Sequence, residues 1–405
     1  MMTQYKWLFT SYFRRQAYGW HSDTPIQRIK EAVTEIKQVA RNQPELAAEG
    51  AVTLLVKLSP ALMQVDSSSG ALGTAVNRAI EALVLVISKP DVSSALRQKW
   101  LERLWEALQE DAIPYIELLG DYWGEVCATP ALASDWADVF LPVIELAWRP
   151  SASGHGYFKG TAACFSALYA AGRYEDLLAL LDKAPYVWWF NRRWGVKALV
   201  ALGKPAEALR YAEVSHGLNE PAGLIAAACE EILLASGLHD EAYQRYALAA
   251  NQRGTYLATF RAIAKKYPDK PPQAILNDLI VSTPGAEGKW FAAAKDAKLF
   301  DVAAQLIQHS PTDPHTLIRA AQDFVVAKPD FAYVCALAAL HWIALDYAYE
   351  ITADELLSVY SIAVKTAGSC GVAQWQLVER IRAMIAGQQP VQLFMKKVLQ
   401  RYLPG

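Results

Sequence analysis

The sequence predicts an all-α fold: a tetratricopeptide-like array of helical hairpins, an α-solenoid, preceded by an N-terminal helical region. Three observations predict it. Ala, Leu, Glu, Gln and Arg fill the periodic segments, and long alternating β-branched runs are absent. Helix punctuation recurs along the chain, most densely in Thr283–Ala321, where Pro284-Gly285 breaks one segment and Asp313-Pro314 opens the next as cap and first residue. From Gly172 onward a glycine-centred turn returns at intervals of 31 (203 − 172) and 34 (237 − 203) residues, the spacing of stacked helical hairpins.

In chain order, an aromatic segment runs to Trp20. Thr24-Pro25-Ile26-Gln27 then reads as a cap, a proline at the first helical position and a capping-box glutamine. Ile26, Ile29, Val33 and Ile36 supply the apolar stripe of that first helix. A second helical segment covers Glu45–Met63 with a break or kink at Pro60, and Asp66–Gly70 is a turn before a helix over Ala71–Ser88. Trp100, Leu101, Leu104, Trp105 and Leu108 mark another helix, and Ser134 or Asp135 is positioned to cap one that Pro142 interrupts or kinks. The small-residue loop Pro150–Gly156 is the boundary candidate, dividing a helical domain over residues 1–150 from a repeat domain over 151–405. Within the latter, Ala163–Leu178, Lys197–Tyr211 and Ala228–Tyr243 align on Gly172, Gly203 and Gly237. Lys289–Leu306 repeats the scheme with Lys298 in the glycine's place. Thr352 with Glu355 forms a capping box that opens a later helix.

Hydrophobic residues make up 53% of the 405-residue chain and charged residues 20%, a balance that excludes intrinsic disorder. The five cysteines are scattered without a C-x-x-C pair, which fits a reducing compartment and no zinc site or disulfide framework. The first twenty residues lack the apolar core of a signal peptide, and no long uncharged apolar run suggests a membrane span. A soluble, cytoplasmic protein without membrane association is expected. Net charge is −2, unevenly spread: Glu102–Glu145 holds ten acids against the single base Arg103, whereas residues 1–41 hold seven bases against three acids. That acidic stretch reads either as the solvated faces of amphipathic helices or as a docking face for a basic partner.

Catalytic signatures are absent: no H-E-x-x-H, no P-loop, no G-x-S-x-G and no dinucleotide fingerprint, so no cofactor is expected. The seven histidines fall mostly at turns and read as capping or solvated groups. Glu230 and Glu231 adjoin in an apolar helix, where residues about 100° apart allow at most one to face the stacking surface. Tyr186–Trp194 (YVWWFNRRW) is the densest aromatic and basic cluster, suited to stacking nucleic-acid bases or to forming a bulky inter-hairpin core. Thr255–Lys298 has seven bases against four acids, a modest excess for a nucleic-acid groove.

The strings FRRQAYGW (Phe13–Trp20), VDSSSGALGTAVNRAIEAL (Val65–Leu83), KWLERLWEA (Lys99–Ala107), IPYIELLGDYWGEVCA (Ile113–Ala128), TYLATFRAIAKKYP, TPGAEGKWFAAAKDA and SPTDPHTLIRAAQDF resemble a family of bacterial helical-repeat proteins known only as a domain of unknown function. Parts of that family are also similar to helical regions of SWIM zinc-finger proteins. The resemblance implies a helical-repeat fold without an assigned reaction. The zinc-ligating Cys and His set of the SWIM module has no counterpart here, and Lys298 departs from the glycine of KDAG-type strings.

The function these features predict is a non-enzymatic scaffold that binds a protein or peptide along a surface around Arg192, Arg193, Arg261, Lys265, Lys289 and Trp290. A ligand-binding or enzymatic pocket around Glu230, Glu231, Lys289 and Asp296 is the alternative. A nucleic-acid-linked accessory factor, in defence against phage or mobile elements, is a third reading that rests on the basic tracts alone.

Overall fold

A computed structural model describes residues 5–150, 154–217 and 222–403. They are helical throughout, with no strand among them, and form two compact units that divide at Ile232/Leu233.

The first unit opens with the N-terminal aromatic segment, whose Trp7, Phe9 and Phe13 are buried. Four long helices follow: α1 (Asp23–Val39), α2 (Pro44–Leu62), α3 (Ala71–Ser88) and α4 (Ser94–Glu110). The first begins at Asp23, one residue before the Thr24 cap read from the sequence, and its N-cap Ser22 makes no side-chain cap bond. Pro60 sits inside the last turn of α2, where its carbonyl accepts the Gln16 amide at 2.8 Å. The third helix is long and apolar enough to cross a bilayer, yet it carries Arg78 and Glu81 and buries Leu72, Val76, Ile80, Leu83 and Ile87. It packs on α1 and α2 as a core helix of this unit.

Arg97 of α4 is 5% exposed and has carbonyls for partners: Ile87 and Pro90 oxygens at 2.6 Å and that of Val126 at 3.3 Å. Its guanidinium thus satisfies the carbonyl end of α3 and part of the short α5 (Trp123–Cys127).

Next comes α6 (Pro130–Ala147), capped by Thr129, whose hydroxyl accepts the Leu132 amide. The start is therefore Thr129-Pro130 rather than Ser134 or Asp135; the cap-proline pair outcompetes a cap further on, and Pro142 lies within the helix. Hairpins α7 (Thr161–Ala170) with α8 (Tyr174–Asp182) and α9 (Trp189–Ala201) with α10 (Pro205–Glu213) complete the unit, up to the first part of α11 (Ala222–Ala235). The loop at 150–156, expected as a domain boundary, lies inside the first unit; its residues 151–153 are outside the described set. The helices on its two sides, α6 and α7, pack against each other.

In the second unit, α12 (His239–Ala242) and α13 (Leu248–Ala250) are joined through a π turn at Tyr243–Ala247. There follow α14 (Tyr256–Lys266), α15 (Pro272–Val281), α16 (Phe291–Asp296), α17 (Phe300–His309), α18 (Pro314–Phe324), α19 (Pro329–Ala344), α20 (Ala353–Ala367), α21 (Gln374–Met384) and α22 (Pro390–Leu399). The centre is α19, buried on nearly every side and packed against α17, α18, α20, α21 and α22. Its uniformly apolar sequence is what an interior helix requires.

The repeated turn has one geometry. Gly172, Gly203 and Gly237 have φ of 73°, 74° and 75°, and Lys298 reaches φ 60° in the same role. In each, the amide of the left-handed residue bonds three residues back and the next amide bonds five residues back, as in Leu299 to the Ala294 carbonyl at 2.9 Å. This closes the first helix of the hairpin and turns the chain into the second. Asp346 and Gly371 repeat the geometry after α19 and α20.

Candidate functional site

At the start of α9 and in the residues just before it, burial separates the aromatic cluster into two sets. Trp189 and Trp194 are each 4% exposed and belong to the interior, whereas Tyr186, Val187, Trp188 and Phe190 are 68%, 47%, 49% and 43% exposed. The cluster YVWWFNRRW therefore supplies both interior and exposed rings. Phe190, Arg193, Lys197 and Val200 follow three- and four-residue steps and share the outward face of α9. The Trp188 and Phe190 rings meet edge-to-face at 5.6 Å, and Tyr186 meets His155 at 5.8 Å. An exposed aromatic group of this kind, at the foot of a helix bearing two cations, has the composition of a protein contact site.

Arg193 is fixed within that face. It donates to the Phe190 carbonyl through Nε at 3.0 Å and pairs with Asp121 at 2.5 Å. Lys197 places its ammonium 4.3 Å from the Trp194 ring centre. Arg192 turns the other way: its guanidinium lies 3.8 Å over the Tyr211 ring and its Nε is 3.1 Å from Ser215 Oγ. Burial pushes the Tyr211 phenol up to about 12. Arg192 is thus part of the α9–α10 packing. Glu230 is fully buried and partnered, while its neighbour Glu231 is exposed, as the 100° step requires.

In the second unit, Arg261 of α14 grips both carboxylate oxygens of Asp296 on α16, at 3.0 and 2.5 Å. The guanidinium holds the Asp296 carboxyl below its ordinary range. Lys289 is exposed, with its ammonium 5.6 Å from the Tyr256 ring centre, and Lys265 is exposed on α14. Trp290 is 2% exposed and donates its indole N–H to Thr283 Oγ1 at 2.7 Å. It therefore cannot serve as a contact residue on the surface: an indole in a helical-repeat core is the most effective filler available, and this one is also hydrogen-bonded.

Three of the ten acids in the stretch 102–145 find a counter-charge inside the unit. Asp121 pairs with Arg193, Asp138 with Arg173 and Glu145 with Lys183, while Asp111 is buried and accepts the Ile116 amide at 2.8 Å. Glu102, Glu106, Glu110, Glu125 and Asp135 are exposed on the surface of the same stretch.

Sequence reasoning missed a groove of about 510 Å3 on α19. Tyr333, Leu337 and His341 stand on successive turns as its floor; the end of α17 with His309 forms one wall and Arg380 of α21 the other. Burial, and then the Arg380 charge, hold His341 below the ordinary imidazole range, and burial raises Tyr333. The only sequence signal was the four-residue step linking Tyr333, Leu337 and His341. Among the described residues, no three His, Cys, Asp or Glu side chains gather as a metal set. Burial pushes the Cys127 and Cys335 thiols up to about 12, which leaves them poor nucleophiles.

Comparison of the chain with protein families, curated proteins and solved structures finds no match.

Proposed function

We propose that this protein is a non-enzymatic, tetratricopeptide-like scaffold that binds a protein or peptide partner, and that the outward face of α9 is its contact surface. The observation that carries this reading is the exposed group Tyr186, Val187, Trp188 and Phe190 next to Arg193 and Lys197. Exposed rings supply contact area at small entropic cost, and the flanking cations favour a partner segment with apolar side chains and acidic neighbours. Of the residues predicted from sequence, Arg193 stays in this surface, Lys265 and Lys289 remain as exposed cations of the second unit, and Arg192, Arg261 and Trp290 take structural roles. The likeness to helical-repeat proteins enters only as fold-level analogy. The cytoplasm is the compartment this reading assumes, in line with five free thiols.

A photo-crosslinking residue at position 187 or 190, introduced in host cells, tests the proposal. A discrete partner should be trapped there and not from a control position at Val281, and its binding, rebuilt from purified components, should be lost in Trp188→Ala with Phe190→Ala. Absence of any trapped partner at both positions overturns it. A nucleic-acid reading is favoured by the same rings, yet Asp121 pairs with Arg193 and, with Glu125, lies near Lys197, which opposes a phosphate backbone. Strongly salt-dependent retention of single-stranded DNA or RNA, lost in Trp188→Ala, would reverse that preference.

A further inference from the structure

We infer that the groove on α19 is a binding site for a small organic anion, with a carboxylate or phosphate head joined to a short apolar body. Its volume, about 510 Å3, falls in the range of small-molecule sites. The lining divides by chemistry as such a ligand would need: Leu337, Val334 and Met384 offer apolar contact, while Arg380, His341 and Tyr333 offer hydrogen-bond donors. No carboxylate is among the lining residues. Arg380 has no carboxylate partner among the described residues; its neighbour is the Tyr333 hydroxyl. An arginine left without an acid beside neutral donors is matched to an incoming oxyanion.

The end of α17 would ordinarily oppose an anion, because unsatisfied carbonyls concentrate negative partial charge there. Two of the four, those of Leu306 and Ile307, are taken up here. Trp342 donates its indole N–H to the Ile307 carbonyl at 2.9 Å, the Ser310 amide bonds the Leu306 carbonyl at 3.0 Å, and the His309 ring lies 2.9 Å from the Gln305 carbonyl through Nδ1. The opposing partial charge of the wall facing Arg380 is thus reduced by groups that belong to the fold. The same Trp342 bond pins α17 to α19 and keeps the groove preformed.

Calorimetric titration of the full chain with hexanoate and with hexyl phosphate tests the inference, with acetate, inorganic phosphate and hexylammonium as controls. At least one hexyl anion should bind about tenfold or more tightly than its head group alone or the hexyl cation, and which one binds distinguishes carboxylate from phosphate recognition. Arg380→Gln should weaken that binding by about tenfold or more, the scale of one charge-assisted hydrogen bond. Val334→Trp should block the groove without removing a charge. Arg380 is exposed, so its variant is expected to melt like the parent and decides the matter if Val334→Trp folds poorly. Failure of both hexyl anions to bind, equal binding of hexylammonium, or binding unchanged in Arg380→Gln overturns the inference.

Discussion

His315 at the start of α18 and Glu355 in the first turn of α20 are joined by an Nδ1–Oε1 contact of 3.0 Å, while Nε2 of the same ring faces the Tyr349 carbonyl at 2.8 Å. Both ring nitrogens meet acceptors, so the imidazolium is the form that satisfies them. The Tyr349 carbonyl first, and then Glu355, raise the His315 pKa; Glu355 is lowered, chiefly by the Thr352 amide and hydroxyl. For a histidine raised on folding, the added stability is fully present below the unfolded value of about 6.5 and is lost as pH rises through the folded value. Denaturant melts of the parent and His315→Gln should therefore differ most at mildly acidic pH and converge in alkali. A difference that grows with pH would refute the charged assignment, and NMR titration of the ring checks the direction of the shift.

Lys298 holds a left-handed conformation, φ 60°, that its counterparts fill with glycine. A side chain there costs about 1 kcal/mol or more, partly offset by the lower entropy of the unfolded lysine chain. Lys298→Gly should stabilise the protein by about 0.5–1 kcal/mol in urea melts. Gly203→Ala, with open space around the added methyl but φ 74°, should destabilise it by about 1–2 kcal/mol.

Replacement of Arg261 by glutamine removes a two-point bond to Asp296 between α14 and α16, but the arginine side chain is 60% exposed. Solvent screening keeps such an exposed pair weak. The loss should shrink as salt is raised, which melts at low and high ionic strength would show. A loss that does not shrink with salt would mean that Arg261 has a further, non-electrostatic role.

Two tryptophans that look alike in sequence should behave oppositely. Trp290→Ala empties a site that is 2% exposed and removes the indole bond to the Thr283 hydroxyl, at a cost of about 3–5 kcal/mol. Trp188→Ala, at 49% exposure, should change stability by less than about 1 kcal/mol and act on partner capture alone. Thermal melts of the two variants make the comparison directly.

The parts legible in the sequence are those written in local codes. The Asp313 carboxylate accepts the Thr316 amide at 2.9 Å as its cap position implies, Thr352 and Glu355 close their box, and the hairpin turns fall at Gly172, Gly203, Gly237 and Lys298. Helix starts were misplaced where several capping residues lie close together, as at Ser22–Thr24 and Thr129–Asp135. Periodicity gave no means of separating Trp290 from Trp188, because an aromatic beside arginine or lysine has the same local pattern inside or outside. Nor does any local pattern bring His341 of α19 and Arg380 of α21 to one groove; that depends on which helices pack on α19.

The pairs Asp138–Arg173, Glu145–Lys183 and Asp121–Arg193 each join a residue before position 150 to one after it. A cut of the chain between Trp148 and His155 would consequently yield two fragments with opposite charges at the severed face. With α6 and α7 also packed together, these pieces would act as complementing halves, and acid or concentrated salt would loosen the electrostatic share of their association while leaving the apolar share in place.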